Sequence, residues 1–221
     1  MGMLENYQRF EIEAKEAIKS HESLKLTEHE GSPCLEGELL LSSHGILIDK
    51  YTIRIIPTTI YPSNFPHVYE IGGRIIPNID WHFYSDGHCC LKAPPEEIII
   101  CRKGINLLSF IDSIVVPYFF NQKHRETFGY FLTERPHGNK GIAHSLSEIV
   151  GSSDLNTLHK VLSFAKERQR VERTDTCFCG SGKKFRHCHK KAISDLVLLS
   201  DNELNYFLNV LISTLARTDR N

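Results

Sequence analysis

Two cysteine-bearing stretches carry the residue types that do chemistry. In "CFCGSGKKFRHCH", residues 177–189, Cys177 and Cys179 are followed after eight residues by Cys188 and His189. Three thiolates and an imidazole are a complete tetrahedral donor set for zinc, and a shell closed by four protein ligands leaves no position for substrate, so the metal implied is structural. Gly180, Ser181 and Gly182 supply the tight turn that lets the chain double back. A segment this short has little core of its own, so metal binding would provide much of its folding free energy. The basic loop Lys183, Lys184 and Arg186 is either a solvated surface or a contact for a partner.

The second stretch, "SDGHCCLKAPPEE" at 85–97, holds Cys89 and Cys90, with Cys101 further on in "IIICRKG". Adjacent cysteines backed by isoleucines lack metal-ligand spacing. Cys89 reads as a packed small hydrophobe. Cys90 and Cys101 are alternative nucleophiles: Cys90 follows a glycine turn, while Cys101 is followed by Arg102 and Lys103, cations of the kind that depress a thiol pKa. His82, His88 and, more remotely, His137 are the polar groups available to assist.

The whole chain narrows these options. Its seven cysteines are odd in number and clustered, which fits a reducing compartment and metal or catalytic use rather than a disulfide framework. A net charge of −1 argues against a protein that wraps nucleic acid. The absence of a long apolar run and the charged, amphipathic start "MGMLENYQRFEIEAK" lead us to expect a cytoplasmic protein without a membrane anchor.

The elements that must position these groups follow from periodicity. Residues 3–19 read as a helix, and three strand-like runs at 34–41, 44–49 and 51–58, separated by short Ser, Gly and Asp49-Lys50 turns, suggest an antiparallel meander, with a proline-rich loop leading into a fourth strand near 68–71. Residues 80–104 read as a long loop in which Pro94-Pro95 blocks a helix, and 105–122 as a buried helix ending around Pro117. Amphipathic helices are expected at 154–175, with a solvated polar end, and at 200–217, the latter opened by the Ser200/Glu203 capping-box pair.

Two resemblances rest on these residues. "CFCGSGKKFRHCH" resembles the SEC-C motif, a small zinc module. The order helix, meander, proline loop, cysteine segment, buried helix resembles the ubiquitin-conjugating (UBC) fold. Tyr61, Pro62, Pro66 and Val68 match that family's Y-P-x-x-P-P-x-V; Pro77-Asn78-Ile79 is similar to its H-P-N, with Ile76 in place of the histidine, and Gly87-His88-Cys89-Cys90-Leu91 to its G-x-[IV]-C-L, with Cys89 in place of the aliphatic residue. Asn78 lies twelve residues before Cys90 instead of the usual eight, a position that His82 takes here. The implied fold class is α+β: a UBC-like antiparallel meander sheet packed with helices over 1–150, a connecting helix at 151–175, the zinc knot at 176–190 and a C-terminal helix at 191–221.

The implied activity is thioester transfer through Cys90, or through Cys101, with His82 as oxyanion donor and His88 as a second polar group. The combination resembles the stand-alone conjugating enzymes of CBASS-type antiphage operons. That resemblance implies a partner, a cGAS/DncV-like nucleotidyltransferase (CD-NTase), whose C-terminus would be joined to a lysine amine with or without a separate activating enzyme. The competing expectation is an inactive UBC-like scaffold that uses the knot for docking.

Overall fold

The computed structural model describes residues 2–218, and side chains through residue 214. The chain forms two compact units, one of 1–92 and 100–134, the other of 93–99 and 135–221. The division after residue 134 differs from the boundary at 150 read from the sequence.

The first unit opens with α1 (Met3–Ala17), which buries Asn6, Phe10, Ala14 and Ala17, residues spaced three and four apart on one face. Four strands then pair consecutively and antiparallel: β1 (Leu24–His29), β2 (Ser32–Ser43), β3 (Ile46–Ile56) and β4 (His67–Glu70). The meander is as expected, but its strands differ in two places. β1 was missed in the sequence because LKLTEH buries only Leu24 fully and turns polar residues outward. The runs at 44–49 and 51–58 belong to a single strand, β3. Asp49-Lys50, read as a turn, lies inside the ladder, where Asp49 faces Leu41 and Lys50 faces Leu40. Arg74 and Lys123 bind the Asp49 carboxylate, and Lys50 pairs with Glu38 at 2.5 Å, so both charges are accommodated in mid-strand.

The actual turns are Glu30-Gly31 and His44-Gly45. Each is a two-residue loop with both φ angles positive, the conformation whose twist matches that of a hairpin and for which glycine is suited. Leu35, Leu39 and Leu41 on β2, Tyr51, Ile53 and Ile55 on β3, and Val68 on β4 alternate inward and form the core with Phe10, Phe110 and Phe119.

Beyond β4 the Glu70 carboxylate folds the chain back. It accepts backbone hydrogen bonds from Gly72, Arg74 and Ile75 at 2.9, 3.0 and 3.2 Å. The expected loop at 80–104 is replaced in part by α2 (Pro94–Arg102). The two prolines occupy the first helical turn, where a missing N–H costs no hydrogen bond, and Glu96 and Glu97 complement the positive end of the dipole.

The helix expected to end near Pro117 continues. α3 (Leu107–Phe110) passes through a π turn at Ile111–Val115 into α4 (Val116–Phe128), and this wider turn puts Pro117 at the start of a fresh α segment.

The second unit holds α5 (Gly138–Val150), α6 (Leu155–Lys166), α7 (Lys190–Leu196) and α8 (Asp201–Thr218). Its core includes Leu146, Leu158, Leu162, Leu196, Phe207 and Leu211. α5 contributes Ile142, Leu146 and Val150 to that core, which is why the division precedes it. α6 is shorter than the expected 154–175 because residues 167–170 and 172–176 are exposed and bury nothing to hold a helix. The capping box forms as read: the Ser200 N–H donates to Glu203 Oε2 at 2.6 Å and the Glu203 N–H to Ser200 Oγ at 3.3 Å. No helix among the described residues is long and apolar enough to cross a membrane.

Replacing Glu70 by alanine strands three backbone donors, so we expect the first unit to lose about 2–4 kcal/mol. The fluorescence of Trp81, the single tryptophan of the chain, followed through urea denaturation, measures this. A shift in midpoint below about 1 kcal/mol would mean that water replaces the carboxylate.

Candidate functional site

The four predicted zinc donors converge within the second unit. Their ligand atoms all lie within 4.8 Å of one another. Cys177 Sγ is 3.4 Å and Cys188 Sγ 3.5 Å from His189 Nδ1, and Cys179 Sγ is 3.6 Å from Cys188 Sγ. A tetrahedral zinc with ordinary bond lengths requires edges of about 3.5 Å from sulfur to nitrogen and about 3.8 Å between sulfurs. The donor set and its spacing therefore fit the ion, which would hold the knot together without an open position.

Backbone bonds fold the loop before any metal is considered. The Cys177 N–H donates to the Lys183 carbonyl, the Gly180 N–H to the Cys177 carbonyl and the Phe185 N–H to the Asp175 carbonyl, at 2.8, 3.2 and 2.8 Å. Gly180 and Gly182 sit at φ +86° and +73°, where a side chain would be strained. The knot's aromatic residues anchor it inward: Phe178 stacks on Phe164 of α6 at 3.8 Å and Phe185 is buried.

Around Cys90 the structure builds a ribbon where the sequence showed no regular pattern. Phe83 and Cys89 form an antiparallel bridge flanked by Tyr84 N–H to His88 O at 2.9 Å and Cys90 N–H to His82 O at 2.7 Å. Gly87, at φ +89°, closes the turn with its N–H on the Tyr84 carbonyl. A second bridge, Tyr69 to His88, and the bond from Cys89 N–H to Val68 O at 2.7 Å join this ribbon to β4. In extended chain successive side chains alternate. Cys89, 3% exposed, enters the core beside Phe83, while Cys90 lies on the opposite face, partly exposed and directly across the ribbon from His82.

His82 is held by its main chain as much as by its ring. It ends a 3-10 turn (Ile79–Trp81) in the left-handed region, φ +57°, which costs a residue with a Cβ about 1–2 kcal/mol. Three bonds offset that strain. The Trp81 carbonyl accepts from Gln122 Nε2 at 2.8 Å, and the His82 carbonyl accepts from the Tyr118 hydroxyl at 2.9 Å and from the Cys90 N–H. The imidazole, 8% exposed, meets the ring of Phe131 edge-on at 4.9 Å, and its Nε2 is 3.6 Å from Glu134 Oε1. Asn78 is occupied as a cap: its Oδ1 accepts from the Trp81 N–H and its Nδ2 donates to the Ile76 carbonyl.

The remaining sulfurs are distinguished by their surroundings. Burial drives the Cys89 thiol far above its ordinary pKa, and the Tyr118 hydroxyl opposes this only in part. Cys101, 8% exposed, joins the core at the last turn of α2 and lines a small open cavity with Tyr61, Phe65, Asn106 and Phe110. Its neighbours Arg102 and Lys103 are exposed. His137 precedes α5 in the second unit.

Sequence reasoning missed Tyr118, Gln122, Phe131 and Glu134, which lie 28 to 44 residues beyond Cys90, the first two in the segment read only as a buried helix and the last two past its end. Asp86, two residues before His88, was visible in the sequence and was read only as part of a turn.

Compared with known protein families, the chain matches the SEC-C motif over residues 173–191. The match covers all four of the converging donors.

We expect about one zinc per purified chain, and loss of that zinc, read by elemental analysis, in Cys179→Ser and Cys188→Ser. Retention of full zinc by both variants would exclude this ligand set. A second expectation concerns the paired cysteines: iodoacetamide at neutral pH should alkylate Cys90 in the native protein and reach Cys89 only after denaturation. Tandem mass spectrometry of the peptide holding both residues reads the order, and early labelling of Cys89 would contradict the inward and outward assignment.

Proposed function

We propose that this chain is a ubiquitin-conjugating-like acyl transferase that carries the C-terminus of a partner protein as a thioester on Cys90 and passes it to a lysine amine. The observation that supports this reading is the ribbon at 82–90, in which the hidden Cys89 and the accessible Cys90 have opposite orientations and Cys90 is paired with His82. The arrangement of helix, four-stranded meander and helices after the cysteine ribbon is compatible with a UBC-like fold. Thioester exchange needs an accessible sulfur and a nearby donor for the oxyanion, and makes no demand for a strong base on the sulfur. Cys101, in the apolar cavity, is the less suitable sulfur for a bulky acyl group.

The partner in this reading is a cGAS/DncV-like CD-NTase in antiphage defence of the CBASS type. The acyl group would be transferred with or without a separate activating enzyme. A second reading, an inactive UBC-like scaffold that binds and regulates such a partner with the zinc knot as a docking element, draws on Asn78, whose side chain is committed to capping.

Intact-protein mass spectrometry after co-expression with the partner separates the two. The enzyme reading expects an adduct of the partner's mass that thiols release, that Cys90→Ala abolishes and that Cys89→Ala and Cys101→Ala retain. An adduct lost only in Cys101→Ala would move the nucleophile. Stable association with no adduct in any variant would establish the scaffold.

A further inference from the structure

We propose that His88, held on Asp86, is the proton acceptor for the amine that attacks an acyl group carried on Cys90; this rests on the conjugating reading above. His88 lies two residues before Cys90 in extended chain, on the same face of the ribbon and opposite to the buried Cys89. Its Nδ1 is 2.6 Å from Asp86 Oδ1. A carboxylate only accepts, so Nδ1 carries the hydrogen and Nε2 is the basic nitrogen of the neutral ring. The ring itself is clamped. Tyr84 stacks on one side at 4.2 Å and His67 on the other at 4.3 Å, the two imidazoles within 8° of parallel, and Tyr69 meets it edge-on at 6.3 Å. An imidazole fixed in tautomer by a carboxylate, fixed in plane by two rings and carried on the same face of the ribbon as the accessible cysteine has the construction of a general base.

The groups that face the ring come from three elements. Asp86 comes from its own turn, Tyr84 from across the turn, and His67 and Tyr69 from β4, with Glu30 of the β1–β2 turn acting on Tyr69. Burial, reinforced by His88, lowers the pKa of His67. Burial acts to raise the pKa of Asp86, but the hydrogen bonds from His88 outweigh it, so the carboxyl is ionised below its usual range. His82 is differently placed, since its ring meets Phe131 and Glu134.

In the step itself the neutral amine adds to the thioester carbonyl carbon, forming the C–N bond and leaving a proton in excess on nitrogen. His88 Nε2 takes that proton. The C–S bond then breaks with its electron pair on Cys90, giving amide and thiolate, and the proton passes from His88 to the sulfur or to solvent.

The test uses the full chain, loaded on Cys90 by exchange with a small glycyl thioester and followed by intact mass during a single turnover. Free lysine and dithiothreitol are compared as acceptors across pH, because an attacking thiolate has no proton to lose. Wild type should discharge to lysine with a pH inflection. His88→Gln should be about 100-fold slower, within the range of general-base catalysis, with no inflection, and should discharge to dithiothreitol at the wild-type rate. Asp86→Asn, which keeps the ring but removes the carboxylate that fixes its tautomer, should slow discharge to lysine and leave discharge to dithiothreitol at the wild-type rate. It serves in place of His88→Gln if that variant fails to show the wild-type Trp81 unfolding curve. Lysine discharge unchanged in both variants, or equal slowing with both acceptors, overturns the proposal while leaving the conjugating reading intact. Failure of Cys90 to accept the acyl group while Cys101 does overturns both.

Discussion

The bond from the Cys89 N–H to the Val68 carbonyl is the constraint on which the candidate site depends. Without it, residues 82–90 would be a loop with no reason to prefer one face over another. With it, the alternation of extended chain applies, and one cysteine of an adjacent pair must enter the core while the other leaves it. A sheet can impose such a choice only if its edge is fixed. β4 is fixed because its last residue, Glu70, gathers the following three backbone donors and returns the chain toward the 3-10 turn that carries His82.

The same constraint explains why the pair of helical residues Tyr118 and Gln122 matters. They stand one turn apart on α4, on the face that meets the ribbon. Their polar ends satisfy the carbonyls of His82 and Trp81, which a left-handed residue would otherwise leave pointing into an apolar core. The π turn that precedes them lies in the same run of helix. A slip of one residue there would rotate α4 by about 100° and aim other side chains at those carbonyls.

How much of this was legible depended on how local the cause was. The convergence of the four candidate donors was legible, since two pairs of ligands and two glycines in thirteen residues specify their own turn. The capping box at Ser200 was local in the same sense. The spacing of His82 from Cys90 was visible, but its meaning, a ribbon with an αL residue at its foot, required β4 and α4. The hairpin turns were misjudged because Asp49-Lys50 has turn composition, whereas His44-Gly45 has the conformational freedom a two-residue turn requires. Pro94-Pro95 was read as a barrier when it is a helix start, and Pro117 as a stop when a π turn absorbs it. In each case composition was correct and position within the element decided the outcome.

The passage of α2 from one unit to the other bears on how such a chain can be divided and inherited. Residues 93–99 belong with the C-terminal unit, although they come between two parts of the N-terminal one. Ile99 is buried there against partners that follow residue 134. A gene cut after codon 134 would therefore leave the first part of α2 without its cover. The C-terminal part, expressed alone, would lack a segment of its own core. Recombination that respects this fold has to carry residues 93–99 together with the C-terminal unit.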